Sequence, residues 1–570
     1  MTDPAGTTTY TYDNLNRLQT VTRNGTTITY AYDAVGNITD IIYPNNQHLT
    51  YTYNELNLPA TVSDGTKINR VTYDEAAQPV QETMPNGVVV DYEFDECGRL
   101  TLLENKRNQN IIAKSAYTYD KNGNRLSYAD KNGKTTTYAY DALNQLEEVG
   151  GNKLSQYIYD SVGNRKNVSE TVNEEKLMTG IYLYDFDYED RLIKAEKENE
   201  TIIYTYDGDG TLVKKTVTSG SANMTYEYFY DYTAGLPRLL VEKGSDGTNY
   251  NYLYFGGMLY GRTGSEGTVY YHHDGLGSVV AITNANGNIL NEYTYEAFGE
   301  PNIIQETVEN SIMFTGEPYD QSGFVYLRAR YYDPTAGRFV SSDKYKGEIV
   351  DPGSQNRYAY CANNPVNYVD PSGFDSYIFY EKKDWEGQAE SLKKVLGKKY
   401  GSPVHMKEIK TEDEFVREWR NMGKTVDDKG DTKDVKIEGV VLIFHGSPHT
   451  ININADSDEY LTVLSEGKTP KGFDATYIGN LDKKEIDELL ILSCNAGHLD
   501  HYDDNVAMTF RKHQNINAVI GCDGNVAFSR KYGLRSWGFG DYIPRLSGVQ
   551  KGFYENLVNG YRKPYGFVVY

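Results

Sequence analysis

A tyrosine paired with aspartate, or a close variant of that pair, closes a short Tyr/Thr-alternating segment again and again along this chain. The aromatic position falls at Tyr12, Tyr32, Tyr53, Tyr73, Phe94, Tyr119, Tyr140, Tyr159, Tyr188 and Tyr206, at spacings of 20, 21, 20, 21, 25, 21, 19, 29 and 18 residues. A period near 20 means stacked supersecondary units, each too small to bury its own apolar face. Within one unit, Thr9-Tyr10-Thr11-Tyr12-Asp13 alternates Tyr with Thr at the two-residue period of a strand, and Asn14-Leu15-Asn16-Arg17-Leu18 follows as a turn. The aspartate can accept backbone amides of its own turn. Asn24-Gly25, Asn86-Gly87 and Asn132-Gly133 are hairpin signals, because both residues tolerate positive φ. The Tyr-Asp array therefore reads as packing rungs and turn caps, a container or a spacer with no chemistry of its own.

Composition sharpens that reading. The chain has 53 Tyr against 18 Phe and 3 Trp, and 41 of the 53 precede residue 375. Tyrosine suits half-buried β surface where one end of the ring stays wet. Four cysteines (Cys97, Cys361, Cys494, Cys522) in 570 residues build no disulfide framework. A net charge of −23 argues against a general nucleic-acid binder, which needs a surplus of Lys and Arg. The longest apolar run, Gly439 to Phe444, is far too short for a bilayer, and MTDPAGTTTY lacks the basic and apolar regions of a signal peptide. The expectation is no membrane span and no visible signal peptide.

Toward residue 374 the motifs become specific. They run through Tyr271-His272-His273-Asp274-Gly275-Leu276-Gly277-Ser278-Val279, Tyr295-Glu296-Ala297-Phe298-Gly299 and Phe314-Thr315-Gly316. Next come Arg328-Ala329-Arg330-Tyr331-Tyr332-Asp333-Pro334 through Phe339, Asn356-Arg357-Tyr358-Ala359-Tyr360, Asn363-Asn364-Pro365 and Asp370-Pro371-Ser372-Gly373-Phe374. Residues 1 to about 374 thus resemble the RHS or YD-repeat proteins. The resemblance implies an all-β YD-repeat shell at 1–235 closed by an RHS-associated core at 236–374, with a variable toxin domain at 375–570. It also implies release by aspartyl self-cleavage, with Asp343 and Asp370 as the paired carboxylates, Arg330 as a supporting charge and Phe374-Asp375 as the scissile bond. Two carboxylates sharing a proton can serve as acid and base in peptide hydrolysis. Secretion or delivery to the cell surface, and a cognate immunity protein in the producer, are further implications.

Past Phe374 the texture changes. Strand candidates at Tyr377–Tyr380, Val404–Ile409, Gly439–Phe444, Leu489–Ser493, Asn517–Gly521 and Phe567–Tyr570 alternate with helical patterns. Those helices are marked by Trp385, Ala389, Leu392 and Leu396; Phe415, Trp419 and Met422; Val506 and Phe510; and Val549, Phe553 and Leu557. A βαβα order with short apolar strands reads as a mostly parallel sheet, whose sites form at the strands' carboxyl ends. Two strands end in His445-Gly446 and in Cys494, 49 residues apart. This arrangement resembles the caspase-like cysteine peptidases. It implies an α/β three-layer caspase-like domain with His445 as general base or acid, Cys494 as nucleophile and the amides of Gly446 and Cys494 as oxyanion hole.

Other readings of the same region remain open. Cys494, His498, His501 and Cys522 would supply soft ligands for zinc, at a spacing that matches no established ligand pattern. Asp500 and Asp523 are candidates for a substrate pocket, with Asp503 and Asp504 beside them. The expectation carried forward is an RHS-type toxin with a cysteine endopeptidase tip. It acts on polypeptides in a target cell, with no cofactor, no metal and no nucleic-acid partner. The alternatives are a glycan- or protein-binding adhesin with an inert tip, or a nuclease or deaminase tip. Against a deaminase stands the lack of an HxE motif with PCxxC.

Overall fold

The structure is a computed structural model. It describes residues 1–343 and 355–370, apart from 169–181 and a few scattered positions, and beyond residue 370 the elements named below. The chain divides into two compact units, Met1–Ser342 with Tyr358–Asn367, and Asp343–Arg357 with Tyr368–Tyr570.

The first unit is an antiparallel meander in two large sheets, followed by a three-stranded sheet of Val325–Leu327, Arg330–Asp333 and Arg338–Phe339. A 17-stranded sheet runs from Thr2–Asp3 to Arg165–Val168, and a 12-stranded sheet from Leu183–Phe186 to Pro301–Glu306. Alternation sets the faces: in Thr26–Tyr32, Thr26, Ile28 and Tyr30 are buried while the residues between them are half-buried or exposed. At the aromatic position of each repeat the strand register slips by one residue, as between Thr11 and Tyr12, Ala31 and Tyr32, and Thr52 and Tyr53. A bulge of this kind bends the strand and re-aims the side chain.

That re-aiming gives the repeated tyrosine its job. Its hydroxyl donates to the carbonyl of the first residue in the preceding repeat's return strand: Tyr32 to Leu18 (2.6 Å), Tyr53 to Ile38 (2.8 Å), Tyr73 to Pro59 (2.8 Å) and Tyr140 to Arg125 (2.7 Å). The rule continues into the second sheet with Tyr206 to Leu192 and Tyr230 to Leu212. The aspartate that follows organises the turn. Asp13 Oδ1 accepts the amides of Leu15 and Arg17, Oδ2 accepts Arg17 Nε, and Arg17 Nη1 reaches on to the Asp33 carbonyl of the next repeat. The fourth turn residue takes positive φ, which selects glycine at Gly36 (φ 91°) and asparagine at Asn57 (φ 58°).

One repeat position differs from the sequence reading. The strand Leu183–Phe186 ends at Phe186, and Asp187 makes the turn bonds to Glu189 and Arg191. Tyr188 projects from the turn into solvent. The Asp-x-x-x-Arg spacing, which lets one carboxylate meet both the amide and the guanidinium of Arg191, decides the register over the Tyr-Glu pair.

The two sheets share a core. Val21, Ile28, Ile41, Leu49 and Val62 of the first pack with Phe229, Leu240, Leu253 and Tyr270 of the second. Hydrogen bonds cross directly: Tyr43 hydroxyl to Tyr252 carbonyl (2.7 Å), Asn86 to Thr283 (2.9 Å) and His272 Nδ1 with Asn105 Oδ1 (3.0 Å). Among the described residues, the space between these faces is therefore side-chain core. The expected division at 235/236 falls inside the 12-stranded sheet, where Ala222–Asp231 pairs with Arg238–Gly244.

In the second unit, a six-stranded sheet has the order Val404–Glu408, Ser376–Tyr380, Ile437–Ile443, Glu485–Leu492, Asn515–Cys522, Phe567–Val569. The first five run parallel, and Phe567–Val569 is antiparallel to its neighbour. The helices Glu412–Asn421 and Val506–His513 contribute Phe415, Trp419, Val506 and Phe510 to a core with Val440, Leu442, Leu489 and Ile491. Phe415 stacks on Trp419, whose Nε1 donates to the Asp482 carbonyl at 2.9 Å. No helix among the described residues is long and apolar enough to cross a membrane.

Candidate functional sites

The motifs before residue 374 converge on one aromatic cluster. Tyr332 stacks on Tyr360 with ring centroids 4.0 Å apart, and Phe314 and Phe339 pack around the pair. The Tyr332 hydroxyl donates to the Phe298 carbonyl at 2.6 Å. Four motifs far apart in sequence are thereby one packed object, with Tyr332, Tyr360, Phe314 and Phe339 all buried. Asp333 ends the strand Arg330–Asp333 and accepts the amides of Thr335 and Ala336; burial raises its carboxyl pKa.

After this cluster, an asparagine-rich segment closes onto the turns of the first sheet. Asn363 Nδ2 donates to the Gly163 carbonyl (2.8 Å), and Asn364 Nδ2 to the Asn144 carbonyl (2.8 Å). Asn367 Oδ1 accepts the Arg125 amide (2.7 Å), while its Nδ2 donates to the Tyr140 hydroxyl (3.0 Å). The closing segment thus uses asparagine as a two-sided adaptor, reading carbonyls, an amide and a tyrosine hydroxyl of repeats 200 or more residues earlier. Sequence reasoning found the Asn363-Asn364-Pro365 motif but not this role, and it left Asn367 unremarked.

The carboxylates expected for self-cleavage stand as follows. Asp370 is buried at 1% exposure, and Asp343 is half-buried, its amide donating to the Arg357 carbonyl at 2.6 Å. Arg330 is buried, with its guanidinium 3.6 Å above the Phe339 ring. Phe374 and Asp375 lie outside the described residues.

In the second unit, Ile437–Ile443 and Glu485–Leu492 are parallel neighbours with Ile443 paired to Leu492. That 49-residue offset is also the offset between His445 and Cys494. His445 opens the short strand His445–Ser447, where it pairs with Asn452, and Gly446 pairs with Ile451. Cys494, His498, Asp500, His501, Asp503, Asp504 and Asp523 lie outside the described residues, and Cys522 ends the strand Asn515–Cys522. The sheet therefore sets two strand ends level with each other, and His445 follows one of them by two residues. Among the described residues, no group of three or more His, Cys, Asp or Glu is placed to hold a metal ion.

Comparison with known proteins follows this division. Residues 88–366 match the sequence profile of the Teneurin YD-shell family, and residues 32–67 that of the RHS Repeat. The tRNA3(Ser)-specific nuclease WapA of Bacillus spizizenii is 32% identical over 267 residues, which cover 45% of this chain and 11% of that protein. Double-stranded DNA deaminase toxin A of Burkholderia cenocepacia is 33% identical over 110 residues, 18% of this chain and 7% of that protein. Among solved structures, the TcdB2-TccC3 crystal structure superposes with a TM-score of 0.55 at 17% identity, covering 65% of this chain and 24% of that one. The chain spans about a tenth or less of the length of these two curated relatives.

Proposed function

We propose that this chain, whose residues 32–67 and 88–366 match the RHS Repeat and the Teneurin YD-shell, works as an RHS-type polymorphic toxin with residues 375–570 as its effector. The observation that carries the reading is the change of architecture across the closing segment. Asn363, Asn364 and Asn367 are bonded into the turns of the β-shell. From Ser376 onward the chain builds a parallel sheet with its own apolar core. An independent core joined to a sealed repeat array is what an exchangeable cargo requires. Delivery out of the producing cell and a cognate immunity protein belong to the same proposal.

For the effector's chemistry, the relatives favour nucleic acid as the target, because the proteins that share this shell are named as a tRNA nuclease and a DNA deaminase toxin. A second reading, a cysteine peptidase of caspase-like fold using His445 and Cys494, draws support from the level ends of Ile437–Ile443 and Glu485–Leu492. A site at the carboxyl ends of adjacent parallel strands is a general property of such sheets. Under this reading Gly446 and Cys494 would supply the oxyanion amides.

The intact chain, expressed in bacterial cytoplasm, tests both. Growth arrest accompanied by fragmented tRNA or deaminated DNA, and unaffected by Cys494→Ala, supports the nucleic-acid reading. Arrest with new protein cleavage products, abolished by Cys494→Ala and His445→Ala, supports the peptidase. Absence of toxicity in every host and assay would overturn the toxin reading itself. Intact-mass analysis of the same preparations addresses release: a new N-terminus at Asp375 that disappears in Asp343→Asn and Asp370→Asn assigns the cut to the shell's carboxylates. Persistence of that cut in both variants removes them from the mechanism.

A further inference from the structure

Between the 12-stranded sheet and the segment from Glu309 to Tyr331 lies a cavity of about 60 Å³. At roughly 10–15 Å³ for each water-sized body, it has room for about four or five non-hydrogen atoms. The strands Leu212–Ser219, Arg238–Gly244 and Met258–Gly264 supply Lys215, Glu242 and Arg262 to its lining. Both cations are already paired: Lys215 Nζ lies 3.2 Å from Asp320 Oδ2, and Arg262 Nη2 lies 2.6 Å from Glu266 Oε1. The carboxyl groups left over are Glu242, deep in the cavity at 8% exposure, where burial raises its pKa against the lowering pull of the Tyr252 hydroxyl and Lys215, and Glu309, which is exposed. Glu242 Oε2 accepts the Tyr252 hydroxyl at 2.7 Å, and among the described residues Oε1 receives no hydrogen bond.

Two donors are also unmatched here. The Tyr331 hydroxyl and Arg262 Nε are buried with no hydrogen-bond partner among the described residues, in side chains only 3% and 1% exposed. A buried donor left without an acceptor is costly, so the meeting of two around one cavity marks a place where a bound molecule supplies the partners. Of the tyrosines in the lining, Tyr250 is already covered by the Arg262 guanidinium at 3.9 Å and Tyr226 by Lys215 Nζ at 5.3 Å, which leaves Tyr228 as the aromatic wall open to a cationic group.

We propose that this cavity binds a small primary amine bearing a hydroxyl group, a member of the amino-alcohol class. The ammonium donates to Glu242 and is drawn in by Glu309 at the mouth. The hydroxyl oxygen accepts from Arg262 Nε or Tyr331. Two carbons between amine and hydroxyl fill the available volume. An anion is disfavoured by the residual negative charge, and a bare metal cation would leave the guanidinium donor unmatched. Because Glu309 and Tyr331 belong to the segment that follows the last strand of the 12-stranded sheet, occupancy would fasten that segment to the sheet.

The test is titration calorimetry with thermal unfolding of the intact chain, using ethanolamine, ethylamine, ethylene glycol and potassium chloride at matched ionic strength. The expected result is saturable one-to-one binding of ethanolamine with a raised Tm. Ethylamine should bind about tenfold more weakly for want of one hydrogen bond, and glycol and potassium should be silent. Glu242→Gln keeps the Tyr252 bond and should weaken ethanolamine at least about tenfold. Tyr331→Phe removes an unpartnered hydroxyl, so it should leave the ligand-free Tm unchanged or higher while weakening binding. No saturable heat with ethanolamine, an equal response to glycol or potassium, or unchanged affinity in Glu242→Gln would overturn the proposal and leave the cavity to water.

Discussion

In most repeats the tyrosine is placed to do one thing that phenylalanine cannot, and that makes a two-way prediction. Tyr32, Tyr53 and Tyr140 donate to Leu18, Ile38 and Arg125 carbonyls at 2.6, 2.8 and 2.7 Å. Replacing all three with phenylalanine keeps the rings and removes three neutral hydrogen bonds. At about 1 kcal/mol each, with Tyr140 independent and Tyr32 and Tyr53 meeting at Ile38, the triple variant should lose about 3 kcal/mol. Phe94 offers the reverse experiment, because it occupies the same position: the register slips before it, and it pairs with Leu100 as Tyr53 pairs with Pro59. By the rule the other repeats follow, a hydroxyl there would meet the carbonyl of Pro79, the first residue of the return strand Pro79–Thr83. Phe94→Tyr should therefore stabilise the shell by about 1 kcal/mol. Urea unfolding of the intact chain followed by far-ultraviolet circular dichroism reads both, as a lower midpoint for the triple variant and a higher one for Phe94→Tyr. A triple variant within about 1 kcal/mol of the parent, or a destabilised Phe94→Tyr, would refute the stitching role and return the tyrosine to simple ring packing.

Three further outcomes follow from the same geometry. Burial raises the pKa of Tyr117 and Tyr271 to about 12. The unfolded chain ionises tyrosine near 10, so the stability they contribute is intact below pH 10 and lost as pH rises through 12; absorbance at 295 nm should rise together with loss of β dichroism, and titration at pH 10 without unfolding would contradict this. His272, bonded through both ring nitrogens to Asn105 and Thr283, has its pKa lowered by burial to about 3. It stays neutral in the fold, so its contribution is full above pH 6.5 and drains away toward pH 3; the stability difference between parent and His272→Gln should shrink over that window, and a constant difference would count against it. Trp419→Ala removes a fully buried indole stacked near Phe415 and Phe510; it should cost the C-terminal unit about 3–5 kcal/mol and lower one calorimetric transition while the shell's transition stays in place.

What was legible in the sequence is what short-range chemistry encodes. The Asp turn depends on atoms four residues apart, and Asp13, Asp33, Asp95 and Asp141 all build it. The tyrosine hydroxyl was legible as a polar tip but not in its use. Composition alone makes it a water-facing group, yet Tyr43, at 1% exposure, donates to a carbonyl 209 residues away. Such a partner follows from the stacking of sheets, which no local pattern contains. Phe186 shows the same limit at shorter range. Two aromatic-acidic pairs stand two residues apart, and the carboxylate's reach to Arg191 chooses between them. The candidate sites divide likewise: strand ends at His445 can be read from apolar runs, whereas the meeting of Glu242, Arg262 and Tyr331 around one cavity requires three separate segments to be assembled first.

The closing segment explains why the shell and the chain beyond it can be treated as separable problems. A repeat array has no natural end, and its last turns expose amides and carbonyls that a next repeat would have covered. Asn363, Asn364 and Asn367 answer those groups with side-chain amides, which carry a donor and an acceptor on one short stem. Aspartate in these places would lose the donor, and serine would fall short of the turns. Replacing Asn364 and Asn367 together with alanine strips four hydrogen bonds from the seal, two of them to main-chain groups. The strands of the array keep their own ladders, so far-ultraviolet dichroism should be unchanged. Proteolysis after Tyr360 should accelerate, because the segment is held by its side chains and not by strand pairing. Protection equal to the parent's would show that the aromatic cluster around Tyr332 and Tyr360 holds the segment unaided, and would move the seal from the asparagines to those rings.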